Sequence, residues 1–200
     1  MAEPIDFYFD FSSPYSYLAS EGIDALAERF GRSVRWRPIL LGIVFQHLGT
    51  QSLVKQPGQG DYAPHDMARS ARFLGIPFRL PSRFPAATQQ AARAYYWLHG
   101  QDCALARRFA HAVFRAYYVD DLDISAPATV LDLAAGLGVG REELAAALAT
   151  PELKERLKQE TNDAIARGVF GAPWIVVDDE PFWGADRLPQ VERWLASGGF

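Results

Sequence analysis

One cysteine, Cys103, stands in a chain of 200 residues. That excludes an intrachain disulfide and any cysteine-based zinc site. Charge of one sign is not in excess either. Twenty basic side chains against 24 acidic ones leave a net charge of −4. A mildly acidic chain gains nothing from a phosphate backbone, so nucleic acid binding is not expected. No apolar run approaches the roughly 18 residues of a spanning helix, so no membrane is expected. The first residues show neither the basic region nor the apolar stretch of a secretory signal. Glu3, Asp6 and Asp10 are foreign to a transit peptide, and a cytoplasmic location is expected. What is present is ordinary for a soluble globular protein: 49% hydrophobic and 22% charged residues. A chain of this length builds a core without staples.

Residues 5–11 alternate and are rich in aromatics, which predicts a strand. Ser13 suits a helix cap and Pro14 a first helical position. Apolar residues at Tyr17, Leu18, Ile23, Leu26, Ala27 and Phe30 then predict a helix that ends at Gly31. Residues 34–37 alternate again, and Pro38 ends that second strand. Gly and Pro punctuate residues 41–61, a loop with a short helix before Gly49. Helices follow over 64–74, 86–99, 102–118, 126–137 and 141–148, with Ser125 as the cap of the fourth. A further helix covers 151–167. Residues 174–177 read as a buried strand, 178–181 as a turn, 182–183 as the start of a partner strand, and 187–195 as a last helix.

This order, β-α-β and then α-β-β-α around a run of helices, is that of an α/β thioredoxin-like fold with a large all-helical insertion domain. Residues 1–40 and 151–200 form the discontinuous thioredoxin-like domain, and residues 41–150 form the insertion. The active cleft is expected between them.

Three segments carry chemistry. Ser13-Pro14-Tyr15-Ser16 lies at the join of the first strand and helix. Unpaired N–H groups and a positive partial charge favour an anion there, a thiolate or a carboxylate. Thioredoxin-like oxidoreductases place Cys-x-x-Cys at this spot. Serine at both positions excludes dithiol exchange, and on this segment alone Ser13 reads as a helix cap and nothing more. The second segment is 168–173, where Pro173 directly precedes the buried strand and cannot donate to a ladder. Thioredoxin-like folds carry a cis-proline there, and Ala172 before it offers its backbone to an extended ligand. The alternative is an ordinary trans-proline. The third is 182–188, where Gly184 and Ala185 allow close backbone approach. Asp186 either caps the last helix or meets a ligand ammonium.

The strings DFYFDFSSPYSYLA, RGVFGAP and FWGADRL, in this order and spacing, resemble the 2-hydroxychromene-2-carboxylate isomerases. That family sits with the kappa-class glutathione transferases among the DsbA-like thioredoxin folds. The resemblance covers essentially the whole chain, including Tyr62, Asp66 and Arg69 ahead of Gly75-Ile76-Pro77, and Phe84-Pro85 before a helix. It implies glutathione as cofactor. Ser13 then hydrogen-bonds the glutathione sulfur as the catalytic residue. Ala172, ahead of a cis-Pro173, pairs with the cysteinyl part. Trp183, Gly184, Ala185 and Asp186 hold the γ-glutamyl end. Ala185 stands where the family usually has a polar residue, so only its backbone contact is kept. The family's Asn-Arg pair in the loop is replaced by Ser52-Leu53-Val54-Lys55, with Lys55 supplying the charge. Lys55, Tyr62 and Phe84 are the expected substrate contacts. The implied partners are a small aromatic substrate and a second copy of the chain in a homodimer. The implied activity is glutathione-dependent cis-trans isomerisation of 2-hydroxychromene-2-carboxylate and benzylidenepyruvate-type catabolites. A kappa-like glutathione transferase and a non-enzymatic glutathione- or peptide-binding module are the alternatives.

Other signals are bland. The glycines of 136–140 follow a helix where a dinucleotide motif follows a strand. His47, His65, His99 and His111 have no ligand spacing, so no metal is expected; His111 reads as a helix-packing residue, and His47 or His65 as a cleft residue. Asp120, Asp121 and Asp123 read as a loop and helix-start cluster. Cys103 reads as a small packing residue. Tyr95, Tyr96, Trp97, Tyr117 and Tyr118 read as core, with one or two walling the aromatic pocket. Arg107 and Arg108 read as a solvated face, and Arg69, Arg79 and Arg83 as candidates for a substrate carboxylate.

Overall fold

The alternation near the N-terminus becomes β1, Ile5–Phe9, in a computed structural model that describes residues 3–200. Phe7 and Phe9 point to one side of the sheet and Tyr8 to the other, as the two-residue period demands. The chain continues through α1 (Pro14–Ser20), α2 (Ile23–Arg29), β2 (Val34–Pro38), α3 (Leu41–Leu48), α4 (Gln59–Leu74), α5 (Gln89–His99), α6 (Cys103–Tyr118), α7 (Pro127–Ala135), α8 (Arg141–Leu148) and α9 (Pro151–Ala166). It closes with β3 (Trp174–Val177), β4 (Glu180–Trp183) and α10 (Leu188–Ser197). Short 3-10 turns occupy Leu53–Lys55 and Ala185–Arg187.

The strands form one sheet in the order β2-β1-β3-β4. β1 pairs in parallel with β2, and β3 is antiparallel to both β1 and β4. This is the expected thioredoxin-like core with its helical insertion. On one face, Phe9 lies against Tyr95 of α5 and Phe114 of α6, with ring centroids at 5.9 and 5.6 Å. Phe11 meets the same Phe114 at 5.1 Å. These rings belong to a core cluster that runs without interruption from the strands into α5–α9. On the other face, Tyr8 and Trp174 pack with Val44 of α3 and Ala164 of α9.

Side chains from the insertion also complete the free edge of β2. The Tyr95 hydroxyl donates to the Trp36 carbonyl and the Tyr96 hydroxyl to the Pro38 carbonyl, at 3.2 and 2.8 Å. Arg107 reaches the Val34 carbonyl. Arg107 also pairs with Asp24, so it is a half-buried tie and not a solvated face. The opposite edge, β4, has only four residues, and one of them is Pro181.

Several local expectations change. The first predicted helix is two, because the chain turns at Glu21-Gly22 before α2 begins. α4 opens at Gln59, five residues earlier than predicted, with Pro64 inside it. Gly60 makes that early start possible: a Cβ there would stand 2.9 Å from the Val54 carbonyl oxygen. Ser125 does not cap α7, because its hydroxyl is taken by Asp123. α5 starts at Gln89 and not at 86, behind Thr88, whose hydroxyl goes to Asp10. Cys103 is exposed, with its sulfur 3.5 Å from Nε2 of His99. It packs no core, since the first residue of α6 lies outside the apolar stripe. Asp121 and Asp123 hold Arg79 and Arg83 and cap local N–H groups, as a loop cluster should. No helix among the described residues is long and apolar enough to cross a membrane.

Candidate active site

β1 stops at Phe9 and α1 starts at Pro14, so four residues form the turn between them. Ser13 is the N-cap of α1, and its Oγ accepts from the Ser16 N–H at 3.1 Å. The expected cap is therefore present. The same hydroxyl donates to the Ala172 carbonyl at 2.9 Å, across 159 residues of sequence. The Ala172-Pro173 peptide is cis. Ser13 is buried, and its Oγ and the Ala172 carbonyl form one polar point in an apolar floor. Ser16, at the second position of the turn's S-x-x-S, is buried with its Oγ unpartnered.

The next wall is aromatic. Trp183 is half exposed, and its ring meets Phe170 at 4.7 Å. Phe170 in turn meets Trp174 at 4.8 Å. Gly171 is required beneath this indole, because a Cβ would stand 2.5 Å from Nε1 of Trp183. Gly184 has φ 113°, and its N–H donates to the Pro173 carbonyl at 3.0 Å. Asp186 does not cap α10, whose N-cap is Arg187 without a side-chain bond. Its carboxylate pairs with Arg187 at 3.0 Å and is otherwise exposed.

Asp10 is the organising group below the turn. It is 2% exposed. Oδ1 accepts from the Ser12 N–H at 2.7 Å, the Ser12 hydroxyl at 2.8 Å and the Thr88 hydroxyl at 3.1 Å. Oδ2 accepts from the Leu41 N–H at 2.7 Å. One carboxylate thus ties the end of β1 to the starts of α3 and α5. Burial pushes its pKa above the ordinary carboxylate value, and the four hydrogen bonds oppose that rise.

A second polar group links α1 to α4. The Tyr15 hydroxyl donates to Oδ2 of Asp66 at 2.6 Å. Nη2 of Arg69 donates to Oδ1 of Asp66 and, at 2.5 Å, to the Tyr62 hydroxyl. The Tyr15 hydroxyl and the Arg69 guanidinium hold Asp66 below the usual carboxylate range. Burial and the Asp66 carboxylate push the Tyr15 hydroxyl well above its ordinary value, so it stays a donor.

These elements enclose a cavity of about 1440 Å³. That exceeds the about 300–1,000 Å³ of a site for one drug-sized molecule, and the cleft is open to solvent on one side. Ser13, Ala172, Pro173 and the segment from Trp183 to Asp186 line it, and so do Lys55 and Phe84. Tyr62 does not line it and stands behind Arg69 instead. His47, His65 and the four tyrosines of α5 and α6 are also absent from its walls. Those tyrosines are core residues. Arg69 lines the cavity, whereas Arg79 and Arg83 do not.

Sequence reasoning missed Asp10, and it missed the Tyr15–Asp66 link between two segments it had noticed separately. The available signal was an acid directly after a run of buried aromatics.

The fold and this cleft define a thioredoxin-like protein of the DsbA type, and the DSBA-like thioredoxin domain model matches residues 4–196. The chain is 33% identical over 190 residues to a 2-hydroxychromene-2-carboxylate isomerase of Pseudomonas putida, covering 94% of this chain and 92% of that one. It is 29% identical over 205 residues to glutathione S-transferase kappa 2 of Caenorhabditis elegans, covering 96% and 91%. A solved structure of a 2-hydroxychromene-2-carboxylate isomerase superposes with a TM-score of 0.86 at 30% identity, covering 96% of this chain and 94% of that one. The chain belongs to the 2-hydroxychromene-2-carboxylate isomerase family within the DsbA-like thioredoxin proteins.

Proposed function

We propose that this protein is a glutathione-dependent isomerase of conjugated aromatic acids, interconverting 2-hydroxychromene-2-carboxylate with its ring-opened benzylidenepyruvate. The observation that carries the reading is the buried Ser13 hydroxyl, aimed at the Ala172 carbonyl on the floor of a large apolar cleft. The residues present fit glutathione. Ala172 offers a backbone for a peptide-like ligand. The Asp186 carboxylate, paired with Arg187 through one oxygen and largely exposed, keeps its other oxygen for an ammonium. The cavity has room for a tripeptide and a bicyclic acid together.

Ser13 and Ala172 would hold glutathione, which would supply a thiolate for reversible addition to the conjugated alkene. The chain's own part is to favour that anion and exclude water from it. Ser13 has one O–H to give, and the Ala172 carbonyl takes it. That O–H would turn from the carbonyl to a bound thiolate, while the Ser16 N–H stays on Oγ. A hydrogen bond to a charged group is worth about 1.5–3 kcal/mol. That equals about 1–2 pKa units, enough to bring a thiol of pKa about 8.5 close to neutrality. No histidine lies in the cleft to activate Ser13 as a nucleophile.

The test is the ultraviolet thiolate absorbance of glutathione titrated with the protein near pH 7, beside Ser13→Ala. A saturable band that weakens by about tenfold in the variant, in line with about 1.4 kcal/mol per factor of ten, is expected. Isomerase turnover should require glutathione and leave it unconsumed. Release of a thioether product would instead mark a transferase of the kappa type. Binding without a thiolate band would mark a binding module, and full turnover without glutathione would end the reading.

A further inference from the structure

One face of α4 points into the cavity through Asp66, Arg69, Ser70, Phe73 and Leu74, spaced by three and four residues. Phe73 is 88% exposed, an aromatic ring on a helix with almost nothing packed on it. Arg69 sits one turn before it. We infer that Arg69 and Phe73 form the subsite for the acidic aromatic substrate, with Arg69 receiving its carboxylate and Phe73 facing its ring. The inference rests on the reading above only in taking the substrate to be an aromatic acid.

Three cations line the cavity: Lys55, Arg69 and Arg187. Arg187 is paired with Asp186. The other sequence candidates, Arg79 and Arg83, lie outside the cavity in ion pairs with Asp121 and Asp123. Arg69 differs from Lys55 in being held. A single nitrogen, Nη2, makes its bonds to Asp66 and Tyr62. Its guanidinium carbon lies 5.5 Å from the centroid of the Tyr62 ring. No described residue accepts from Nη1 or Nε, so donors of the held guanidinium remain for a substrate carboxylate, as single charge-assisted bonds. Asp66 is fixed in turn by the Tyr15 hydroxyl. Tyr15 belongs to α1 two residues after Ser13, so this chain of bonds sets Arg69 relative to the Ser13 hydroxyl. Asp66 and Tyr62 are positioning residues, and Arg69 is the group that touches substrate.

The experiment measures calorimetric binding of 2-naphthoate and 2-naphthamide, with and without saturating glutathione. The proteins are the wild type, Arg69→Met, Arg69→Lys, Phe73→Ala and Asp66→Asn. Wild type should prefer the acid to the amide, and Arg69→Met should lose that preference by about tenfold, the lower end for a charge-assisted bond at a half-exposed site. Phe73→Ala should weaken acid and amide alike. Arg69→Lys should not restore the preference, since an ammonium has no planar group to lie over Tyr62 and bond Asp66 while presenting further donors.

Asp66→Asn separates positioning from simple charge. Removing an anion beside the site strengthens naphthoate binding if Asp66 acts only through its field. It weakens that binding if Asp66 holds Arg69 in place, as the inference requires. Equal preference in wild type and Arg69→Met, or tighter naphthoate binding by Asp66→Asn, would overturn it. The two readings fail separately. Naphthoate selectivity without a glutathione thiolate band would remove only the proposed isomerase. A thiolate band without selectivity would remove only the Arg69 subsite.

Discussion

Asp10→Ala is the perturbation whose cost follows most directly from the geometry. The substitution leaves two backbone N–H groups, of Ser12 and Leu41, without their acceptor. The Leu41 N–H is buried at the start of α3. Each orphaned buried donor costs about 1–3 kcal/mol. The hydroxyls of Ser12 and Thr88 can turn to other acceptors and add little. Removing the buried carboxylate recovers its desolvation and offsets part of the loss. The net is a loss of about 2–3 kcal/mol, or a fall in Tm of about 4–12 °C for a chain of this size.

The pH dependence gives a second check. Burial holds the Asp10 pKa above its ordinary value of 3.8. Between the unfolded and the folded pKa, the native state keeps a proton that the unfolded chain has lost. Stability from this group therefore falls as pH rises through that window. The advantage of wild type over Asp10→Ala should be largest near the acidic end and narrow above the folded pKa. Urea denaturation at a series of pH values reads both effects. A variant as stable as wild type, or a gap that widens with pH, would refute the reasoning.

Two further outcomes are expected. Gly171→Ala should drive the half-exposed Trp183 indole outward, since the new Cβ would stand 2.5 Å from Nε1. Stability should fall by only about 1 kcal/mol, while tryptophan emission shifts to the red and glutathione affinity drops; unchanged emission and affinity would contradict the packing. Phe114→Ala removes a ring that meets Phe9, Phe11 and Tyr17 within 5.9 Å. It should cost about 3–5 kcal/mol, a Tm loss of about 6–20 °C by thermal melting, and a loss near zero would mean that the two halves of the core do not share it.

The parts of the fold that repeat with a short period were legible in the sequence. β1 announced itself by alternation, and α8 by its apolar spacing, because burial on one face writes directly into residue order. Boundaries were less legible where a side chain had been taken by something distant. Ser125 looked like a cap, but its hydroxyl goes to Asp123, and α5 begins only behind Thr88, whose hydroxyl goes to an aspartate 78 residues away. Asp186 failed as a cap because the 3-10 turn Ala185–Arg187 moves the helix start past it. The floor of the candidate site was readable from Ser13, Ala172 and Pro173, since turn chemistry and strand punctuation are local. Arg69 could not be told from Arg79 or Arg83 along the chain. Only the packing of α4 against α1 puts it in the cavity, and that contact has no signature in either segment alone.

The edges of the sheet have a consequence for how this protein behaves in concentrated solution. An unpaired edge is a template on which another chain can extend the sheet. Along β2 the carbonyls of Val34, Trp36 and Pro38 are already occupied by Arg107, Tyr95 and Tyr96. At the other end β4 is short and interrupted by Pro181. The acceptors of the β2 edge are closed to an incoming strand, and the β4 edge is too short and proline-broken to extend the sheet. The tyrosines that serve the core of α5 are thus also guards of the β2 edge against strand addition, a duty that rests on their hydroxyls and not on their rings.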